Sequence, residues 1–146
     1  MDTMSLGKWI SLLYRYGQIY VARELKQYKI GTGQFLFLVV LYKKDGLPQD
    51  QLARCLNIDK GTTARAISKL EEAGYVSRKQ NQKDLRSNLV FLTQKAKDFQ
   101  PRAYSIINRW SEVITHGMSP QEVDYALALL EKMAENATVY IDNKRP

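Results

Sequence analysis

Between Lys60 and Lys69 the chain sets out side chains suited to holding a polyanion. Lys60, Gly61, Thr62, Ala64, Arg65, Ser68 and Lys69 fall on one side of a helical period, and no acid interrupts them before Glu71 and Glu72. Small residues let a helix approach base edges, while a guanidinium at position 65 can read guanine or clamp a phosphate. Further on, Arg78, Lys79, Lys83 and Arg86 surround Asn81, Gln82 and Asp84, with Ser87 next in line. A basic loop of this kind suits phosphate contact or entry into a minor groove, whose negative potential favours Arg. Asp84 would repel phosphate, so it is expected to hold Arg86 or Arg78 in position. The ordinary alternative is a solvated surface, but such surfaces mix both signs along their length.

The flanking pattern supplies elements able to position these groups. A short helix is predicted over Gln49–Leu56, burying Leu52, Ala53 and Leu56, followed by the break Asn57-Ile58-Asp59. Asp59 is placed to cap a second helix from Lys60 to Ala73, since its carboxylate can accept from the free N–H groups of the first turn. Thr63, Ala66, Ile67 and Leu70 form the buried side of that helix, and Gly74 stands where a left-handed cap belongs. Strand-like runs at Tyr75–Lys79 and Ser87–Leu92 complete the order helix, turn, helix, hairpin. That order is the winged helix-turn-helix, which places its second helix in a DNA major groove.

These residues resemble the multiple antibiotic resistance regulator (MarR) family. Its wing runs Gly, an aromatic or aliphatic residue, Val-x-Arg, then Asp-x-Arg, then Leu-Thr. Here those positions are Gly74, Tyr75, Val76, Arg78, Asp84, Arg86, Leu92 and Thr93, with Leu70-Glu71 and Leu52-Ala53 matching upstream. Four positions depart from the pattern: Leu85 replaces an Arg, Gln82 a Pro, Pro48 a capping Ser or Thr, and Thr63 an aliphatic residue. The resemblance implies a homodimer that binds double-stranded DNA, more often as a repressor. It also implies release by a small aromatic or anionic effector lodged between the dimer helices and the DNA-reading part.

Composition agrees with a polyanionic partner. The 146 residues carry 22 Lys and Arg against 15 Asp and Glu, a formal net charge of +7. Residues 1–47 and 48–92 hold that excess, whereas residues 93–146 are balanced. One cysteine, Cys55, excludes an intrachain disulfide, and its place beside Leu52 and Leu56 suggests a small core residue. A single histidine, His116, leaves no His-rich metal site, and no phosphate loop or nucleophile motif is present. No cofactor and no enzymatic activity are expected. MDTMSLGKW has no basic leader with an apolar core, and the apolar run Phe35–Tyr42 is too short for a bilayer. The expectation is a soluble cytoplasmic chain without a membrane partner.

The expected fold class is mainly α with a small β-hairpin wing, in one domain spanning residues 1–146. Residues 32–92 form the winged helix region (helix-turn-helix 48–73, wing 75–92), and 1–31 and 93–146 form N- and C-terminal dimerisation helices. From Leu6 to Tyr28 two adjacent apolar stripes run along one helix, more than a single core requires, so a partner subunit is expected. Thr32 is expected to cap a helix over Gln34–Lys43, whose run Phe35–Leu41 is apolar nearly all round and fits a buried helix better than the alternative strand. Leu47 is expected to form a small third strand beside the hairpin. A long helix from Thr93 carries a seam from Ala96 to Val113 with Pro101 inside it. Ser119-Pro120-Gln121-Glu122 then opens the last helix with a capping box. Tyr14, Tyr16, Tyr20 and Trp110 are candidates for an aromatic effector pocket, although stripes of this kind also serve core or dimer contacts. A winged helix can alternatively be a protein-interaction or RNA-binding module, which charge reversal at Arg65 and the wing would discriminate.

Overall fold

The computed structural model describes residues 3–144. Its helices are α1 (Thr3–Leu25), α2 (Thr32–Lys43), α3 (Gln49–Leu56), α4 (Lys60–Glu72), α5 (Gln94–Ile114) and α6 (Pro120–Asp142). A 3-10 turn, Lys26–Tyr28, follows α1, and three strands, β1 (Leu47–Pro48), β2 (Val76–Gln80) and β3 (Asn88–Leu92), make an antiparallel sheet in the order β1-β3-β2. The chain forms two compact units, one ending at Trp110 and one beginning at Ser111.

The first unit owes its core to the almost wholly apolar α2. Phe35, Phe37, Leu38 and Leu41 are buried, and Leu52, Ile67, Leu70, Val90 and Ile106 join the same cluster. Each large side chain buried this way is worth about 1.5–3 kcal/mol relative to exposure. Gly31, not Thr32, stands at the start of α2: the Gln34 side chain turns back and accepts from the Gly31 N–H at 2.6 Å. The helix therefore begins earlier than the expected Gln34, because an amide three residues into it supplies the missing acceptor. Lys29 and Asn57, at φ 59° and 53°, take left-handed backbone at the ends of the 3-10 turn and α3.

Asp59 caps α4 as expected, and the buried face of α4 is Thr63, Ala66, Ile67 and Leu70. Buried Thr63 satisfies its hydroxyl locally by donating to Asp59 O at 2.9 Å. The strands fall at Val76–Gln80 and Asn88–Leu92, each starting one residue later than expected; at β2 this is because Tyr75 belongs to the cap of α4. In that cap Tyr75 N–H donates to Leu70 O and Gly74 N–H to Glu71 O, with Gly74 at φ +84°. The expected third strand is present: Leu47 pairs with Val90 and Pro48 with Leu89.

Cys55 is a correction: it is exposed, not a core residue. Each residue turns a helix by about 100°, so a position next to Leu56 in sequence is off the stripe that Leu52 and Ala53 bury. In the second unit, Ser119 and Glu122 close the capping box reciprocally at 2.9 and 3.1 Å. No residue of α6 is buried. No described helix is long and apolar enough to cross a membrane.

Candidate nucleic-acid interface

The outer side of α4 carries the expected constellation. Lys60, Gly61, Thr62, Arg65 and Lys69 are exposed, and Ala64 and Ser68 are partly so. Ala64, Arg65, Ser68 and Lys69, with Glu72, line a shallow groove of about 340 Å³ along this face. The first turn is held by Asp59, whose Oδ1 accepts from the Thr62 N–H at 2.8 Å and whose Oδ2 accepts from the Thr62 hydroxyl at 2.7 Å. Those two hydrogen bonds lower the Asp59 pKa below its ordinary value. Arg65 Nη2 in turn donates to Thr62 Oγ1 at 3.1 Å.

A second cleft, of about 320 Å³, joins the start of α4 to the wing. Lys60, Asp84, Arg86 and Ser87 line it together with Gln49, Asp50 and Asn88. Of these seven, Gln49, Asp50 and Asn88 were not singled out in the sequence. Gln49 and Asp50 arrive there because β1 pairs with β3, a contact between residues some forty apart that local patterning does not announce. Asn88 could have been found as the immediate neighbour of Ser87.

The wing tip is an ordered turn. Asn81 Oδ1 accepts from the Lys83 N–H at 3.0 Å, Asp84 Oδ1 from the Arg86 N–H at 3.1 Å, and Leu85 O from Gln80 Nε2 at 3.3 Å. Asp84 thus shapes the backbone at Arg86. Lys83, Leu85 and Arg86 are all exposed.

Arg78 goes elsewhere. Its Nη2 lies 3.0 Å from Glu71 Oε1 and 3.1 Å from Ser68 Oγ, its Nη1 3.5 Å from Gln49 Oε1, and its own N–H donates to Glu71 Oε2 at 3.3 Å. Its ionic partner is therefore Glu71, leaving Arg86 as the one of the two expected arginines that Asp84 holds, and its side chain ties the wing to α4 and α3. The Arg78 guanidinium, by hydrogen bond first, holds the Glu71 pKa below its usual value.

The four aromatic candidates do not gather. Tyr20 stacks on Trp110 at 5.4 Å between centroids, and the Tyr20 hydroxyl donates to Ile106 O at 3.1 Å. Gly17 makes room for this pair, since a Cβ there would meet Trp110 Nε1 at 3.2 Å. Tyr14 and Tyr16 are exposed, and Tyr14 receives a hydrogen bond from Gln18. Neither cleft described above involves any of the four.

Known proteins share both the pattern and the architecture. Residues 30–87 match the model of the MarR family. A MarR transcriptional regulator from Methanosarcina mazei Go1 is 45% identical and superposes with a TM-score of 0.91, covering 94% of this chain and 99% of that one. The chain belongs to the MarR family. Among other relatives, the uncharacterised HTH-type transcriptional regulator YybA of Bacillus subtilis is 31% identical over 113 residues, covering 77% of this chain and 75% of YybA. The HTH-type transcriptional regulator BilQ of Clostridium symbiosum is 26% identical over 127 residues, covering 87% and 88% of the respective chains. This chain is accordingly a MarR-type transcriptional regulator with a winged helix.

Proposed function

We propose that this MarR-family chain is a homodimeric repressor that occupies a pseudo-palindromic operator. The observation that carries the reading is that α4 carries exposed Arg65 in its outer groove, while Lys60 of the same helix shares a cleft with Arg86 and Ser87 of the wing. On this reading α4 enters the major groove, with Ala64 and Gly61 allowing close approach and Arg65 reading a base. Lys60, Thr62, Ser68 and Lys69 stand along the same face, and Lys83, Arg86 and Ser87 follow the backbone into the neighbouring minor groove. Asp84 shapes the wing, and Arg78 sets it against α4. Two-fold pairing places the second α4 about 34–36 Å away, which is the origin of the palindrome. Occupying a promoter in this way blocks polymerase access.

Release by an effector is the second half of the proposal. Its support is the Tyr20–Trp110 stack over Gly17, an aromatic pair on which a flat aromatic ligand can stack. Titrating aromatic carboxylates against tryptophan fluorescence and the DNA complex tests it, and a ligand that changes neither counts against it.

The DNA half is tested by gel shift with the duplex flanking the gene, across several salt concentrations. Affinity should fall steeply with salt, by a log–log slope of about −0.9 for each phosphate neutralised. Arg65→Ala should cost about 1–3 kcal/mol and relax sequence preference, whereas Arg86→Ala should weaken binding to all sequences and reduce the slope by about 1. Wild-type affinity retained by the double variant would sink the proposal.

A further inference from the structure

We propose that Thr62 is a positioning residue for Arg65: locked by Asp59, its hydroxyl holds the guanidinium in the attitude that meets a base edge. This rests on the base-reading role proposed for Arg65.

Hydrogen-bond accounting around one hydroxyl carries the inference. A threonine hydroxyl has one hydrogen and two lone pairs, whereas an ionised carboxylate only accepts. At 2.7 Å from Asp59 Oδ2, the Thr62 hydroxyl must spend its hydrogen on that oxygen. The Thr62 N–H is held by the other oxygen of the same carboxylate at 2.8 Å, so both donors of Thr62 are fixed by one neighbour. What Thr62 offers outward is therefore an acceptor, and Arg65 Nη2 donates to it at 3.1 Å. These bonds lower the Asp59 pKa, so the carboxylate that takes the Thr62 hydrogen stays ionised further into acid than an ordinary aspartate.

Gly61 completes the seat. The guanidinium lies beside it, and a methyl added there would meet Arg65 Nη1 at 3.5 Å and Asp59 Oδ1 at 3.4 Å. A long arginine side chain otherwise loses much rotamer freedom on binding. One that is already docked loses less, and its remaining N–H groups stay free for the ligand. Because the Thr62 hydrogen is taken, the hydroxyl has none left for a phosphate oxygen. The relay thus separates positioning Arg65 from touching DNA directly.

The test is a double-mutant cycle read on DNA. Wild type, Thr62→Val, Arg65→Ala and the double variant are titrated against the duplex that wild type selects from a randomised pool, and against a scrambled duplex of the same composition. Thr62→Val keeps the backbone N–H that Asp59 accepts, so the cap survives, and thermal melting checks this. It should lose roughly 3- to 10-fold in affinity for the selected duplex. Affinity for the scrambled duplex and the salt slope should be unchanged, Thr62→Ser should restore binding, and Thr62→Val should cost nothing further in the Arg65→Ala background. The same loss in both backgrounds means that Thr62 meets DNA itself and overturns the inference, as does no loss in either. If Arg65→Ala binds the selected duplex like wild type, the base-reading role of Arg65 has failed as well. If Arg65→Ala weakens binding and Thr62→Val does not, only the relay is lost.

Discussion

Arg78 and Asp84 hold different partners: Arg78 pairs with Glu71 of α4, and Asp84 accepts from the Arg86 N–H, Arg86 being one of the two arginines expected for it. An extended strand carries the chain forward by about 3.3 Å per residue, so a residue at the hairpin tip recedes from the strand base. The turn at Gly74, by contrast, folds β2 back beside the last turn of α4, where Glu71 waits at 3.0 Å. The pair is partly exposed, so its weight is in orientation more than in stability. Its pH dependence has a definite sign. Glu71 has a depressed folded-state pKa, so the tie is complete above the ordinary glutamate range and is lost as pH falls through the lowered value. Glu71→Gln should therefore flatten the acid limb of a stability-against-pH curve by lowering the neutral plateau a little, while stability at the acid end, where Glu71 is already protonated, stays unchanged. Chemical denaturation at a series of pH values measures it, and an unaltered acid limb would show that the pair does not stabilise the fold. Asp59 was legible as a cap because capping is local. Its second hold, on the Thr62 hydroxyl, was not, since it depends on a rotamer.

At the level of elements, α4 was the most readable part of the chain, because a cap, a stripe of four residues and a terminating glycine all agree. The end of α4 depends on the left-handed backbone at Gly74, where an L side chain costs about 1–2 kcal/mol. A Cβ at that position would find Lys95 Cδ at an ordinary 3.6 Å, so the cost is conformational and not steric. Gly74→Ala should lower unfolding free energy by about 1–2 kcal/mol in a denaturant titration, and an unchanged midpoint would contradict the cap assignment. Thr63 departs from the aliphatic residue seen in the family pattern, and the structure explains its tolerance. Its hydroxyl donates to Asp59 O, which already accepts from the Thr63 N–H at 3.0 Å. Thr63→Val leaves no orphaned acceptor, so stability should shift by less than about 1 kcal/mol in the same assay. Less readable was the start of α2, which is set by a side chain reaching backwards, a group that a hydrophobic period does not record.

For the molecule as a whole, the surplus of apolar surface is the leading fact. On α1, Trp9 is 56% and Leu13 49% exposed, and on α6, Leu127 is 61% and Leu130 53% exposed. Rows of this size on a lone chain mark an interaction surface. The doubled stripes of α1 were legible in sequence for this reason: one core cannot use both. A second copy as the cover predicts a dimer mass by sedimentation and a melting temperature that rises with protein concentration. Leu13→Glu with Leu130→Glu should yield monomer and lose most operator affinity. A wild-type monomer at micromolar concentration would refute the pairing. The three-stranded sheet has a quieter consequence. Its outer strand on one side is only two residues long and ends in Pro48, which has no N–H to donate, and β2 on the other side carries Arg78 and Lys79. Short, charged or proline-bearing margins deny a foreign strand its template. Both margins of the wing are thus poor templates for an added strand, and Pro48, which gives α3 no side-chain cap, has its place there as a residue with no N–H to offer.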